Sequence, residues 1–251
     1  MALYRYVKAA PIPARPRWRI RGLSFLLMSF GGAILLWVAW PILSFTLISD
    51  SVFSQIVAPV SDDAARTRQS AGSLSPVALA AGPDLLGAAT GNSVDFTNAN
   101  VWYPTSPQKK VSTKVNTYTV SIPKLKIENA LTIIGGDDLN EGLVHYGGTG
   151  LPGEFGTAVI FGHSTLPQFF SPTNYKTIFS LLPTLEVGDE VNITYDGVAY
   201  RYVIYEMVVT DPNDLSVLEQ RFDDSYITLV TCVPPGTYWK RLNVKAKLAT
   251  L

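Results

Sequence analysis

The chain has 251 residues and a mass of 27.4 kDa, enough for one sizeable domain with appendages or for two small domains. Its 20 basic and 20 acidic side chains cancel overall, yet residues 1–21 carry six basic side chains and no acidic one. The remainder holds 14 basic and 20 acidic residues, a net charge of −6, which argues against nucleic acid as a partner. A single cysteine cannot form an internal disulfide, so an exported domain would depend on its hydrophobic core.

An uncharged segment of 28 residues, Gly22–Ser49, follows the basic arm. A helix needs about 20 apolar residues to cross a bilayer, so this segment is long enough to span one. A cleaved signal peptide would have a shorter apolar run and a small-residue cleavage site, and a buried core helix would be shorter and less uniformly apolar. We therefore predict a cytoplasmic arm over residues 1–21, a retained transmembrane anchor over 22–49, and an extracellular remainder at the cell membrane.

Residues 50–112 differ in composition from both neighbours. They are rich in Ala, Ser, Gly, Asn and Pro and lack a sustained hydrophobic period, which predicts a low-complexity stalk or linker. The cluster Val101–Pro104 is too apolar for a plain spacer. Packing on the following domain is the favoured interpretation, and a flap over a groove is the alternative.

Residues 113–251 have the sequence pattern of a compact β domain. Short runs rich in β-branched and aromatic residues alternate with turn signals, which predicts seven or eight strands with minor helices in a barrel or sandwich. An Asp-Gly pair at Asp196-Gly197 indicates a hairpin. The spacing of apolar residues in 172–185 predicts a short helix, and "LSVLEQ" predicts a single helical turn. Strand-like stretches are "YTVSIPKLKI", "ALTIIGG", "GTAVIFGH", "DEVNITY", "GVAYRYVIYEMVVT", "SYITLVTC" and "RLNVKAKL".

The last two predicted strands bring the cysteine close to an arginine. Apolar residues alternate with polar ones after Arg241, so Arg241 should face away from the core. If Cys232 ends one strand and Arg241 begins its antiparallel neighbour, the two face each other across an eight-residue connection. A nearby positive charge favours the nucleophilic thiolate and can stabilise negative charge on a carbonyl under attack.

An acyl-transfer site also needs a proton donor, and the chain offers only two histidines. His163 follows the buried strand "TAVIFG", where its side chain can reach a groove. His145 lies in a Gly-rich stretch predicted to be a loop. Each residue also has an ordinary structural interpretation: a buried cysteine as filler, a hydrogen-bonded histidine, a solvated arginine. Zinc is disfavoured, because the paired ligand spacing of zinc sites is absent.

These motifs together resemble the sortases, the membrane-anchored cysteine transpeptidases, over roughly residues 115–251. Three patterns carry the resemblance: "TLVTC" with an arginine nine positions later, "LPGEFGTAVIFGH", and the final "RLNVKAKL". The residues that match are Leu151, Pro152, Gly153, Glu154, Gly156, Gly162, His163, Thr228, Leu229, Thr231, Cys232, Arg241, Leu242, Val244, Ala246 and Leu248.

The resemblance implies an eight-stranded β-barrel and a thioester mechanism. Cys232 would attack the Thr–Gly bond of an LPxTG-like sorting signal, His163 would act as general acid and base, and Arg241 would stabilise the oxyanion and hold substrate. Thr231 is expected to assist substrate binding, and His145 matches a family histidine that is not catalytic. The partners implied are the sorting-signal peptide of surface proteins and an amine acceptor, either a peptidoglycan precursor or a pilin lysine.

Several alternatives stay open at this stage. The chain ends directly after its last strand and "VWYP" lacks the aspartate of pilin-polymerising members, which favours anchoring of surface proteins to the cell wall over pilus assembly. A membrane-tethered cysteine protease that hydrolyses its thioester is a second alternative, and a non-catalytic β-scaffold is a third. We predict no cofactor and no metal in the site; calcium activation is not decided by the sequence.

Overall fold

The computed structural model describes residues 17–53, 95–109 and 113–249. The first of these ranges is a helix, α1 (Arg17–Val52). Its segment Gly22–Ser49 has a mean hydropathy of 2.0 and is long and apolar enough to cross a membrane. Residues 1–16 of the predicted arm and 54–94 of the predicted linker lie outside the described residues. One N-terminal apolar helix therefore exists that could serve as an anchor.

Residues 113–249 form a closed barrel of eight strands, in the spatial order β1-β2-β3-β4-β7-β8-β6-β5. The eight-stranded barrel expected from the sequence is confirmed. Its strands are β1 (Thr117–Ile122), β2 (Ile127–Ile134), β3 (Leu143–His145), β4 (Gly156–Phe161), β5 (Glu190–Tyr195), β6 (Val198–Thr210), β7 (Ser225–Val233) and β8 (Lys240–Leu248).

Two parallel neighbours interrupt an otherwise antiparallel barrel: β2 with β3, and β4 with β7. Parallel strands end at the same edge of a sheet. Because β4 pairs with β7 from Gly156↔Ser225 to Phe161↔Val230, the residues that follow β4 meet the end of β7. The two strands are about 70 residues apart in the sequence. No local sequence pattern could therefore predict that they are neighbours.

Side chains alternate between the barrel interior and an outer layer along β7. Ile227, Leu229 and Val233 belong to the interior core, whereas Val230 and Cys232 belong to a second apolar cluster on the outward face. Every residue of β7 is buried, so this strand is covered on both faces. Something other than the barrel must therefore cover its outward face.

Local structure departs from the sequence expectations at two places. Residues 172–185 form turns and one 3₁₀ segment, Leu182–Thr184, instead of the expected helix. Pro183 lacks the backbone N–H that a continuous helix would use, which favours this break. The stretch "YTVSIPKLKI" is likewise divided by a 3₁₀ turn at Pro123–Leu125. The Asp196-Gly197 hairpin between β5 and β6 is confirmed, with φ of 48° and 76° at its two central residues.

Candidate active site

Cys232 and Arg241 lie directly opposite each other in the β7–β8 ladder. Opposed residues of an antiparallel pair have Cβ atoms roughly 5 Å apart and side chains on the same face. The outward orientation of Cys232 comes from the alternation of β7, whose neighbours Thr231 and Val233 point the other way. The thiol and the guanidinium therefore share the outward face at the end of the barrel.

His163 follows β4 at the point where β4 meets the end of β7. The Gly162 N–H donates to the carbonyl oxygen of Val230 at 3.2 Å, and the Ser164 hydroxyl donates to the carbonyl oxygen of Cys232 at 2.6 Å. His163 is thus held between two residues that are bonded to β7. This arrangement brings together the three residues that the sequence selected.

Gly162 is required at the turn that leads into His163. A Cβ at this position would overlap a ring carbon of Phe179 and would come within 2.8 Å of a methyl carbon of Leu143. Such contacts are shorter than side chains tolerate, so a larger residue would push the turn outward. Glycine at position 162 is therefore a packing requirement of this turn.

Thr231 makes a structural contact next to the cysteine. Its hydroxyl donates to the carbonyl oxygen of Gly162 at 2.9 Å, and the residue is fully buried. Because Thr231 alternates with Cys232 along β7, its side chain lies on the opposite face of the strand. The contact fixes the end of β4 against β7 and so positions His163; a role for Thr231 in substrate binding stays a prediction.

A stretch of chain that precedes the barrel covers this outward face. We call it the cover segment (residues 95–109). Near its start, the Ala99 N–H donates to the carbonyl oxygen of Asp137 at 2.8 Å, and at its end the Lys109 N–H donates to the carbonyl oxygen of Gly147 at 3.0 Å. Backbone hydrogen bonds near both of its ends therefore hold the cover segment across the site.

Trp102 of the cover segment fills the space between the candidate catalytic groups. The guanidinium carbon of Arg241 lies 4.9 Å from the centre of the Trp102 ring system, which is a cation–π distance. The same ring lies 6.2 Å from the His163 ring and 5.4 Å from the Phe161 ring, centre to centre. Trp102 is 1% exposed and Cys232 is 2% exposed. In this conformation Cys232 is almost fully buried.

The covered site holds polar atoms that lack partners. Arg241 donates through Nη1 to the carbonyl oxygens of Tyr238 at 3.2 Å and Lys240 at 3.3 Å, but its Nε has no hydrogen-bond partner. His163 Nε2 and the Tyr103 hydroxyl are also unpartnered and buried. Among the described residues, no carboxylate forms an ion pair with Arg241. Leaving buried polar groups unpaired is costly, so these groups favour a ligand that can bond them.

Burial also sets the protonation states of the covered site. It raises the pKa of the Cys232 thiol to about 11, and the nearby charge of Arg241 offsets only part of this effect. Burial lowers the pKa of His163 below its ordinary value, against the opposing influence of Asp138 and Asp95. At neutral pH the covered site therefore holds a neutral thiol and a neutral imidazole. A thiol is a weaker nucleophile than a thiolate.

A cavity of about 640 Å³ adjoins the guanidinium of Arg241 at the edge of the cover segment. The Phe96 ring stacks on the Tyr238 ring at this edge, 4.1 Å between ring centres. The volume of this cavity is within the range typical of ligand pockets. The residues that line it are Phe96, Asn98, Asn100, Val101, Trp102, Pro104, Pro107, Pro212, Asn213, Tyr238 and Arg241.

His145 lies away from the three grouped residues, inside the barrel at the end of β3. One ring nitrogen is 2.9 Å from the Tyr118 hydroxyl and the other is 3.1 Å from the Thr149 hydroxyl. The residue is 1% exposed, and burial lowers the pKa of His145 to about 4. The sequence placed it in a loop, whereas it is the last residue of a strand. Both of its nitrogens are bonded within the fold, as expected of a structural histidine.

The depressed pKa of His145 makes the barrel sensitive to acid. Below its ordinary pKa of 6.5 the histidine takes up a proton when the chain is unfolded, but not in the native state until about pH 4. We expect this residue alone to lower the free energy of unfolding by about 3 kcal/mol between pH 6.5 and pH 4. Urea unfolding of the wild type and of His145→Gln at both pH values measures the difference. An equal loss in the two proteins would contradict this assignment.

Trp102 and Tyr103 are the site residues that sequence reasoning did not assign to the site. The sequence signal for these two residues was the apolar character of the cluster Val101–Pro104. The favoured interpretation, that this cluster packs on the following domain, agrees with its position against the barrel. Which surface it covers depends on contacts between residues about 60 to 140 positions apart. No local pattern carries that information.

The sequence matches a known protein family and a related protein. The family model of the sortase domain matches residues 120–249. Sortase D of Bacillus subtilis (strain 168) is 28% identical over 137 residues, which are 52% of this chain and 63% of that protein. The matched region thus spans less than two thirds of the relative's own length.

Solved structures of sortases are also similar to this chain. A sortase D5 transpeptidase of Clostridium perfringens is 31% identical, with 56% of this chain and 83% of that chain covered and a TM-score of 0.47. Sortase A of Corynebacterium diphtheriae is 29% identical, with 56% and 63% covered and a TM-score of 0.48. The family model alone covers 130 residues, just over half of the sequence, and so the chain belongs to the sortase family.

Proposed function

We propose that the protein is a cysteine transpeptidase that cleaves an LPxTG-like sorting signal and transfers the acyl part to an amine of the cell envelope. Membership of the sortase family supports the enzyme class. The observation that carries the residue assignment is the register that sets Cys232 opposite Arg241, with His163 at the end of the neighbouring parallel strand. Nucleophile, proton carrier and oxyanion donor are the three groups that acyl transfer requires.

The first half-reaction forms a thioester. The S–H bond of Cys232 breaks as its proton passes to His163, and Sγ attacks the carbonyl carbon of the threonine in the sorting signal, so that a C–S bond forms while the carbonyl oxygen becomes an oxyanion. Arg241 stabilises that negative charge. The C–N bond to glycine then breaks as His163 gives a proton to the departing amine, which leaves the acyl group on Cys232.

The second half-reaction transfers the acyl group. The nitrogen of an acceptor amine attacks the thioester carbonyl and gives up a proton to His163. The C–S bond breaks, Cys232 leaves as thiolate, and an amide bond joins the signal peptide to the acceptor. A peptidoglycan precursor is the acceptor that fits anchoring of surface proteins; a pilin lysine would give polymerisation instead.

The cover segment has to move before either half-reaction can take place. Cys232 is 2% exposed, and Trp102 occupies the space between Arg241 and His163 where the scissile carbonyl would lie. Displacement of the cover segment admits water, which lowers the pKa of the thiol from about 11 toward its ordinary value. Displacement of the cover segment thus both exposes Cys232 and favours its thiolate.

The apolar segment near the amino terminus would attach the protein to the membrane. With six basic residues before it, the apolar segment Gly22–Ser49 would lie with its amino terminus in the cytoplasm and the barrel outside the cell. The substrate and the acceptor would then be met at the outer surface of the membrane.

Product analysis with and without an added amine tests acyl transfer directly. The full-length chain in detergent micelles is incubated with a library of LPxTG-like peptides, with or without triglycine, and products are read by mass spectrometry. We expect the triglycine adduct to become the major product when the amine is present, because a nucleophilic amine outcompetes water for a shielded thioester.

A product ratio that does not respond to triglycine would assign the protein to hydrolases instead. Cleavage that forms no mass adduct on Cys232 in a rapid acid quench would argue against the thioester. If no library peptide is cut and no adduct forms under any condition, the proposed function is wrong.

A further inference from the structure

Two loops without charged residues form the end of the barrel that carries the candidate active site. Residues 164–175, which follow His163, and residues 233–239, which follow Cys232, contain none of the 20 basic and 20 acidic side chains of the sequence. The two loops contact each other, since a Cβ at Gly236 would lie 3.1 Å from a methyl carbon of Leu166. We call these two segments the uncharged loops.

Large aromatic side chains of the uncharged loops are exposed. Phe169 and Trp239 are each 62% exposed, and Tyr238 is 49% exposed. An exposed lysine directly follows each loop, Lys176 after the first and Lys240 after the second. Exposed aromatic rings with lysines beside them are typical of surfaces at a bilayer interface, where the rings enter the headgroup region and the ammonium groups reach lipid phosphates.

The opposite end of the barrel has a different composition. Phe222 is 69% exposed there, but Glu219, Arg221, Asp223 and Asp224 flank it in the sequence. Charged side chains disfavour entry of that end into a bilayer. Strand β7 begins just after Phe222 and ends at the second uncharged loop, and its nine residues span about 30 Å. The two ends of the barrel are thus well separated and differ in their affinity for lipid.

The last turns of α1 pack against the barrel beside the uncharged loops. Phe53 is buried in the barrel core and Phe45 packs against that core, with 5.8 Å between the centres of the two rings. A cavity of about 500 Å³ lies between α1 and the barrel, and none of the residues that line it is charged. The lining residues are Trp40, Pro41, Ser44, Phe45, Ile48, Ser49 and Phe53 of α1, Pro167 and Pro235 of the uncharged loops, and Ser180, Leu181, Pro183 and Thr184.

The length of the apolar segment places this junction at the membrane surface. Gly22–Ser49 has 28 residues, whereas about 20 cross the hydrocarbon core of a bilayer. About eight residues, or about 12 Å of helix, therefore extend beyond the core. Counted from Gly22, this surplus is residues 42–49, which include the cavity-lining Ser44, Phe45 and Ile48. The barrel therefore meets α1 at the level of the lipid headgroups.

We propose that the uncharged loops form a membrane-contact surface, through which Phe169 and Trp239 enter the headgroup region of the leaflet where α1 leaves the bilayer. The partner is the lipid bilayer in which α1 is embedded. This inference rests on the membrane attachment in the proposed function and adds an orientation to it, with the active-site end of the barrel toward the membrane. An acceptor amine held at the membrane surface would then lie within reach of Cys232.

Quenching of a site-specific fluorophore by labelled lipids tests this orientation. The full-length Cys232→Ala protein has no other cysteine, so Phe169→Cys and Trp239→Cys can each be labelled at one position. The proteins are placed in nanodiscs of phosphatidylcholine and phosphatidylglycerol. One quencher is phosphatidylcholine with a nitroxide on its upper acyl chain, and the other is dissolved iodide. We expect the nitroxide lipid to remove at least about half of the emission at both positions, because interfacial apolar side chains lie about 5–10 Å into the headgroup and acyl boundary.

Two further positions serve as controls in the same protein. Phe222→Cys places the label at a similarly exposed phenylalanine of the opposite end, where iodide should quench it and the nitroxide lipid should not. Leu35→Cys places the label within the apolar segment and reports whether α1 is in the bilayer. Melting temperatures equal to that of Cys232→Ala confirm that each labelled variant folds.

The controls separate failure of this inference from failure of the membrane attachment. If the lipid quenches the label at Leu35 while the labels at Phe169 and Trp239 respond only to iodide, the orientation is wrong and the attachment stands. Labels at Phe169 and Trp239 that are shielded from both quenchers would show that protein, such as a second copy of the chain, covers the loops, and would also overturn the inference. If the lipid does not quench the label at Leu35, the attachment and the inference fail together. None of these readings depends on peptide cleavage, so they are independent of the transpeptidase assignment.

Discussion

Replacing Cys232 with alanine is expected to abolish peptide cleavage and thioester formation, a loss of at least about 10³-fold in kcat/KM. The chain has no second cysteine, so no other thiol can take over the attack. The binding groove would stay intact, because alanine removes one sulfur from a buried apolar cluster and leaves the strand register unchanged. Cleavage of the best library peptide and adduct mass on the intact protein are the measurements.

A neighbouring residue provides a matched control for this substitution. Val230 lies two residues earlier on the same face of β7 and belongs to the same apolar cluster. Val230→Ala removes two methyl carbons, a larger loss of packing than that of one sulfur, while it keeps the nucleophile, and should retain most of the activity. Turnover by Cys232→Ala at the wild-type rate would show that the sulfur does not take part in the reaction.

Removing the Trp102 side chain is expected to expose Cys232 and to raise its rate of alkylation by about 10- to 100-fold. The thiol pKa of about 11, against an ordinary value of 9.0, makes the thiolate about 100 times scarcer at neutral pH than it is in an exposed thiol. Trp102 belongs to the same buried apolar cluster as Cys232 and packs against Arg241, His163 and Phe161. Alkylation of Trp102→Ala by iodoacetamide at pH 7.5, followed by mass, measures the effect.

Trp239→Ala is the control for loss of a tryptophan near the site. Trp239 is 62% exposed in the β7–β8 connection and contributes nothing to the apolar cluster around Cys232. Its removal should leave the alkylation rate of Cys232 within about twofold of the wild type, as expected for a surface substitution. If Trp102→Ala and Trp239→Ala react at the same rate as the wild type, the cover segment does not control access to the thiol.

The pairing of Cys232 with Arg241 could be predicted from the sequence because it depends on local rules. Strand alternation gives the face of each residue, and an eight-residue connection lets the two strand ends meet. The strand count and the Asp196-Gly197 hairpin follow from similar rules. The position of His163 beside them required the parallel pairing of β4 with β7, which only the family resemblance implied before the fold was known.

Other features depend on distant contacts or on competing local effects. Residues 172–185 have the apolar spacing of a helix, but Pro183 and the packing of Phe179 against Gly162 favour turns instead. The cover segment has no strong secondary structure, and its position comes from bonds to loops near Asp137 and Gly147.

Because the cover segment belongs to the same chain as the barrel, diluting the enzyme cannot remove it. Under the proposed function, a sorting peptide would compete with this tethered segment, whose local concentration is constant. The apparent affinity of the peptide would be its intrinsic affinity multiplied by the fraction of molecules in which the site is open. A substitution at Trp102 could change the fraction of molecules in which the site is open without changing Cys232, His163 or Arg241. Under the proposed function, basal turnover and peptide selectivity could therefore change independently.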